Sequence, residues 1–208
     1  LIYKKMKNII FGLATILLIA LLACNNNKEK KDLKMTDMME MNHDNKPLDS
    51  DSIDNKSFHG NSQTKELSQP FIENYLNLKD ALVSDDASSA AIAAKLLLAS
   101  TSNIDMKAIP SERHERYMEI AKLIAENSNH IAKNVENISH QREYFELLSQ
   151  NINELIMLFG SSQTLYKDFC PMFNEGKGGV WISQSKEIKN PFYGKEMLTC
   201  GEVKEIIR

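Results

Sequence analysis

Cys170, Met172, Met197 and Cys200 carry the chemistry that this sequence offers most openly. They fall in two short groups, Cys170-Pro171-Met172 and Met197-Leu198-Thr199-Cys200, separated by a stretch that holds much of the chain's glycine. A hairpin joining the two groups would bring two thiols and two thioethers to one spot. Soft sulfur donors favour Cu(I) over harder ions. The competing reading is a plain Cys170–Cys200 disulfide with two methionines filling space nearby. Only one other cysteine, Cys24, occurs in the chain.

The elements that must position these residues follow from the pattern around them. Tyr166 to Phe173 reads as an extended run, Asn174 to Gly179 as a glycine-rich turn, and Val180 to Ser183 as a strand, which together signal a hairpin. Asn190-Pro191 and Tyr193-Gly194 mark further turns before Met197 to Val203 leads into a short terminal segment. Four helical patterns precede this module. The first, about 68–83, places Phe71, Tyr75, Leu78 and Leu82 at helical spacing. Asp85 and Asp86 break it and can cap the second, about 87–100, in which Ile92, Leu96 and Leu97 are expected on one side. The third opens at Ser111 and carries Tyr117, Ile120, Ala121, Ile124, Ser128 and Ile131. The fourth runs from about Ser139 to a stop at Gly160, with Tyr144, Leu147, Leu148, Leu155, Leu158 and Phe159 as its apolar positions. Short connections between such helices predict a mainly α fold: an up-down four-helix bundle with a small C-terminal β-hairpin or irregular module.

Three histidines lie on these helices. His114 and Met118, one turn apart, read as rim residues, and His130 falls off its stripe. His140 is expected to face inward near the start of the fourth helix. There it is either a hydrogen-bonded core residue or a further ligand for the cysteine site, since neutral imidazole is a common metal ligand.

The N-terminal third reads differently. Residues 1–24 carry a basic start, an apolar run from Ile9 to Leu22, and Leu21-Leu22-Ala23-Cys24, with Met6 the expected start. The run is short for a membrane span. The cysteine directly after Ala23 looks like a bacterial lipoprotein signal, in which Cys24 becomes lipidated and anchors the chain to the membrane, facing the periplasm. In that oxidising compartment two cysteines pair unless a metal or a reductant holds them. Residues 25–67 are polar and read as a disordered tether. Within them Met35, Met38, Met39, Met41 and His43 form a patch that no core explains, a candidate arm for catching Cu(I) or Ag(I). Residues 68–208 are expected to form the helical domain. A net charge of −3 gives no basic face for nucleic acid. No phosphate loop, paired-histidine motif or C-x-x-C is present, so no enzymatic activity is expected.

The motifs CPM, GVWIS, NPFYG and MLTCGEV resemble those of a bacterial periplasmic domain of undetermined function, common in the Bacteroidetes. That domain occurs alone on lipoproteins and attached to membrane-fusion adaptors of copper, silver and other heavy-metal efflux pumps. The resemblance spans roughly Phe71 to Ile207. It implies a helical domain, a place in heavy-metal handling with an efflux adaptor or pump as partner acting in trans, and Cys170, Met172, Met197 and Cys200 as the candidate site. Two functions follow as expectations. One is a lipoprotein that binds Cu(I) or a similar soft ion. The other is a disulfide-stapled module that binds no metal and docks on an efflux adaptor or another envelope protein through Phe173, Phe192 and Tyr193.

Overall fold

A computed structural model describes residues 62–208. The expected lipidation site Cys24 and the expected arm of Met35, Met38, Met39, Met41 and His43 lie outside the described residues.

Four helices are followed by a three-stranded sheet. The helices are α1 (Ser62–Val83), α2 (Ala87–Asn103), α3 (His114–Lys133) and α4 (Ile138–Phe159), with two short 3-10 turns between α2 and α3. Each packs on its neighbour in sequence, and α1 closes on α4. The starts of α2 and α4 are set by side-chain caps. Asp86 accepts from the Ser89 N–H at 2.9 Å, and Asn137 accepts from the His140 N–H at 3.1 Å. Gly160 ends α4 at φ +85°, a conformation that costs glycine least. Among the described residues no helix is long and apolar enough to cross a membrane.

Helix α1 starts at Ser62, six residues before the expected boundary at Ser68, so Pro70 lies within it. The extra turns are retained because their polar residues are buried with partners. Thr64 is buried, and the Ser68 hydroxyl donates to the Gly160 carbonyl at 2.7 Å, tying α1 to the end of α4.

Two helical faces differ from expectation. In α2 the buried residues are Ala90, Ala91, Ala93, Ala94, Leu97 and Ser100, whereas Ile92 and Leu96 are 59% and 52% exposed. The helix lies between α1 and α3, and its alanines let both neighbours approach. In α4 the inner stripe is Phe145, Leu148, Ile152, Leu155, Ile156 and Phe159, and Leu147 points outward. A buried polar relay sets that phase. The Ile182 N–H donates to the Tyr75 hydroxyl at 3.0 Å, Tyr75 donates to Ser149 at 2.7 Å, and Ser149 donates to the Phe145 carbonyl at 2.7 Å. Every member is satisfied, which is what a buried polar network requires.

The sheet has strand order β2-β1-β3, all antiparallel: β1 (Leu165–Cys170), β2 (Gly179–Ser183) and β3 (Glu202–Ile207). The expected hairpin is β1–β2, with Cys170 opposite Gly179 and Asp168 opposite Trp181. The terminal segment is a third strand, which pairs Phe169 with Glu202 and leaves Lys204 as the extra residue of a bulge beside Lys167 and Asp168.

Arg142 joins the bundle to this module. Its guanidinium donates to the Leu82 carbonyl at 3.0 Å, the Pro191 carbonyl at 2.8 Å and the Asp85 carboxylate at 2.6 Å. That bond holds the Asp85 carboxyl below its ordinary range. Gly194, at φ +56°, lies so close that a Cβ there would overlap the Asp85 carboxylate. Arg142→Met leaves the Pro191 carbonyl without its partner and removes one partner each from the Leu82 carbonyl and the Asp85 carboxylate, so unfolding in urea is expected about 1–3 kcal/mol easier. A loss below about 0.5 kcal/mol would remove Arg142 from this role.

Candidate metal centre

Cys170 ends β1 and is fully buried; Cys200 lies two residues before β3 and is half-buried. Both are free thiols, and their Sγ atoms are 3.4 Å apart. The sheet brings together two residues 30 positions apart in the chain. β1 pairs with β3, so the residue after Phe169 meets the residues before Glu202. The Cys200 backbone is held on both sides: its N–H donates to the Met197 carbonyl at 3.0 Å, and its carbonyl accepts from Asn190 Nδ2 at 2.7 Å. Asn190 is fully buried and also accepts from the Phe192 N–H at 2.8 Å through its side-chain oxygen, an Asx turn that aims the loop.

Aromatic rings form the wall behind the thiols. Trp181 meets Phe192 edge-on at 5.8 Å, and Phe192 stacks on Phe173 at 4.1 Å. Gly201 sits at φ +147°, where a Cβ would lie 2.8 Å from the edge of the Trp181 ring. The residue beside Cys200 is glycine because the indole occupies that space. Phe192 is buried, Phe173 and Tyr193 are half-buried, and Tyr193 meets Phe173 edge-on at 6.5 Å. The three aromatics expected as exposed docking contacts therefore pack largely on one another.

Of the expected ligands, the structure brings Cys170 and Cys200 together. Met172 is 56% exposed, and its carbonyl accepts from the Tyr193 hydroxyl at 2.9 Å. Met197 is half-buried in the turn that ends at Cys200. His140 faces outward more than expected, with a third of its side chain exposed, and its partners are Glu143, Tyr144 and His130. His114 accepts or donates at the Ile109 carbonyl, and Met118 is exposed. Among the described residues no three histidine, cysteine, aspartate or glutamate side chains gather to hold a metal ion. The cysteine pair supplies two such ligands.

The electrostatics favour a neutral Cys200 thiol. The hydrogen bond with Cys170, then burial, pushes the Cys200 thiol above its ordinary value. Burial, then the two cysteines, does the same to the Tyr193 phenol. Sequence reading missed one group beneath the site. Asp168, on the same face of β1 as Cys170, is fully buried, and neither carboxylate oxygen has a hydrogen-bond partner. Across the strand pair the Trp181 indole N–H is also unpartnered. Burial raises the Asp168 carboxyl to about 7, with the buried Lys79 ammonium pulling the other way. An aspartate between Lys167 and Phe169 reads as a solvated strand residue, so only the register could reveal it.

Residues 71–164 match the family described as Protein of unknown function (DUF3347). The DUF3347 match covers the helices from Phe71 onward and ends at Thr164, one residue before β1. Cys170 and Cys200 therefore lie beyond the DUF3347 match. No curated protein and no solved structure matches the chain.

Proposed function

We propose that this protein is an envelope lipoprotein that binds a soft monovalent ion, Cu(I) or Ag(I), at Cys170 and Cys200 in support of metal efflux. The 3.4 Å separation of the two Sγ atoms carries this reading. Thiolates sharing one ion at about 2.3 Å stand about 3.7 Å apart in a tetrahedral shell, so the pair has to open by only about 0.3 Å. Closing to a disulfide bond of about 2.05 Å demands a larger movement, about 1.4 Å.

Met197 and Met172 are the donors that complete the shell. Unbranched thioether chains rotate easily, and Met172 follows Cys170 by two residues while Met197 precedes Cys200 by three. The raised Cys200 thiol argues against a nucleophilic role, which needs a depressed value. It also means that the ion displaces protons on binding, so affinity rises with pH. The sequence of residues 6–24 supports anchoring through Cys24, and Met35, Met38, Met39, Met41 and His43 serve as the capture arm. The partner is a heavy-metal efflux adaptor or pump.

Titration of Cu(I) against a competing chelator under reducing conditions tests the reading. One ion per chain is expected, with Cys200→Ser weakening binding about 100-fold or more and Met197→Leu about tenfold. Equal affinity in wild type and Cys200→Ser would overturn it.

A further inference from the structure

The end of α3 and the start of α4 hold a second group of metal-ligating side chains, apart from the thiols. His130, on the last turn of α3, and His140, on the first turn of α4, have ring centroids 6.5 Å apart. Tyr144 orients both: His130 stacks on it at 4.1 Å with planes 5° apart, and His140 meets it at 4.8 Å. The connecting turn is pinned at both ends. Asn134 Nδ2 donates to the His130 carbonyl at 2.7 Å, and the Asn137 side chain caps α4.

We infer that His130 and His140 form a binding site for a borderline divalent cation, Ni(II) or Zn(II), separate from the soft-metal centre. Imidazole nitrogen suits these ions, whereas the monovalent soft ions prefer sulfur. Glu143 Oε2 lies 3.4 Å from His140 Nδ1, the partner that ligating histidines use to fix the tautomer. Among the described residues no hydrogen bond occupies Nε2 of His140, which leaves it open to an ion. Among the described residues no hydrogen bond occupies either ring nitrogen of His130.

Both rings reach solvent, so an ion enters without opening the bundle. Two imidazoles sharing an ion at about 2.0–2.1 Å have centroids about 5 Å apart, so the rings close by about 1.5 Å. Rotation of the partly exposed His140 supplies that movement, and water completes the shell. Glu143 acts as a positioning residue.

The test is the Ni(II)-induced rise in melting temperature of the full chain in imidazole-free buffer. A ligand that engages only the folded histidine pair raises the transition, so this readout isolates ions that bridge α3 and α4. The expected result is a rise in wild type that Cys200→Ser retains and that His130→Gln and His140→Gln each abolish. Glu143→Gln is expected to need about tenfold more Ni(II) for the same rise. Both histidines are on the surface, and far-UV dichroism of the variants checks that the helices are intact. No rise in wild type, or a rise undiminished in both histidine variants, would overturn the inference.

Discussion

Trp181→Ala is expected to lower the unfolding free energy by about 3–5 kcal/mol, the range for emptying a fully buried aromatic site. Trp181 is the largest of the fully buried side chains, and its ring fills the space beside Gly201 and against Phe192. Both of those residues border the stretch that fixes Cys200. Removing the indole therefore loosens the floor of the dithiol as well as the core. Trp181 is the chain's only tryptophan, so the variant's unfolding has to be followed by circular dichroism. A loss below about 1 kcal/mol would mean that the module does not depend on this contact. Trp181→Phe, which keeps part of the wall, is expected to fall between the two.

The second large effect is a pH dependence written into Asp168. Its carboxyl is raised from 3.8 to about 7 by burial. The unfolded chain gives up this proton near pH 4, while the folded chain keeps it until about 7. Between those values the native state binds more protons, so stability falls as pH rises through the interval and levels off above it. Below pH 4 both states are protonated and the penalty vanishes. Asp168→Asn removes the charge but keeps the shape. In the metal-free protein it is expected to match wild type at pH 4 and to be about 2–4 kcal/mol more stable at pH 8. Denaturant midpoints at pH 4, 6 and 8 measure this. Parallel curves for the two proteins would show that the carboxylate finds a partner after all. The orphaned oxygens make the charged Asp168 destabilising, and the nearby Lys79 offsets this only in part.

The helices were legible because their signals are local. Asp86 caps the α2 start, Gly160 stops α4, and the stripes of α1 and α3 have the right period and the right phase. The phase of α2 was not legible, because alanine is chosen there for closeness to two neighbours while Ile92 and Leu96 remain outside. Periodicity alone favours the larger residues. In α4 the polar Ser149 faces inward to meet Tyr75, a partner 74 residues away that no local pattern contains. The same limit hid β3: Glu202, Lys204 and Glu205 make it look like a solvated tail, and pairing with β1 is what makes it a strand. The two cysteine groups stood out as a candidate pair, but the expected hairpin sets Cys170 opposite Gly179, and it is the pairing of β1 with β3 that brings Cys200 to Cys170. Asp168, Asn190 and Arg142 were not legible, since each acts through partners distant in sequence or through the pairing register.

Mass-resolved thiol alkylation, run with and without one equivalent of Cu(I), tests the metal centre most directly. Under reducing conditions the unfolded protein should show Cys170 and Cys200 as free thiols, and one equivalent of Cu(I) added to the folded protein should protect both together. Protection that Met197→Leu loses at lower chelator concentrations than wild type would fit a thioether in the shell. Alkylation of Cys200 at the same rate with and without Cu(I) would contradict the dithiol site.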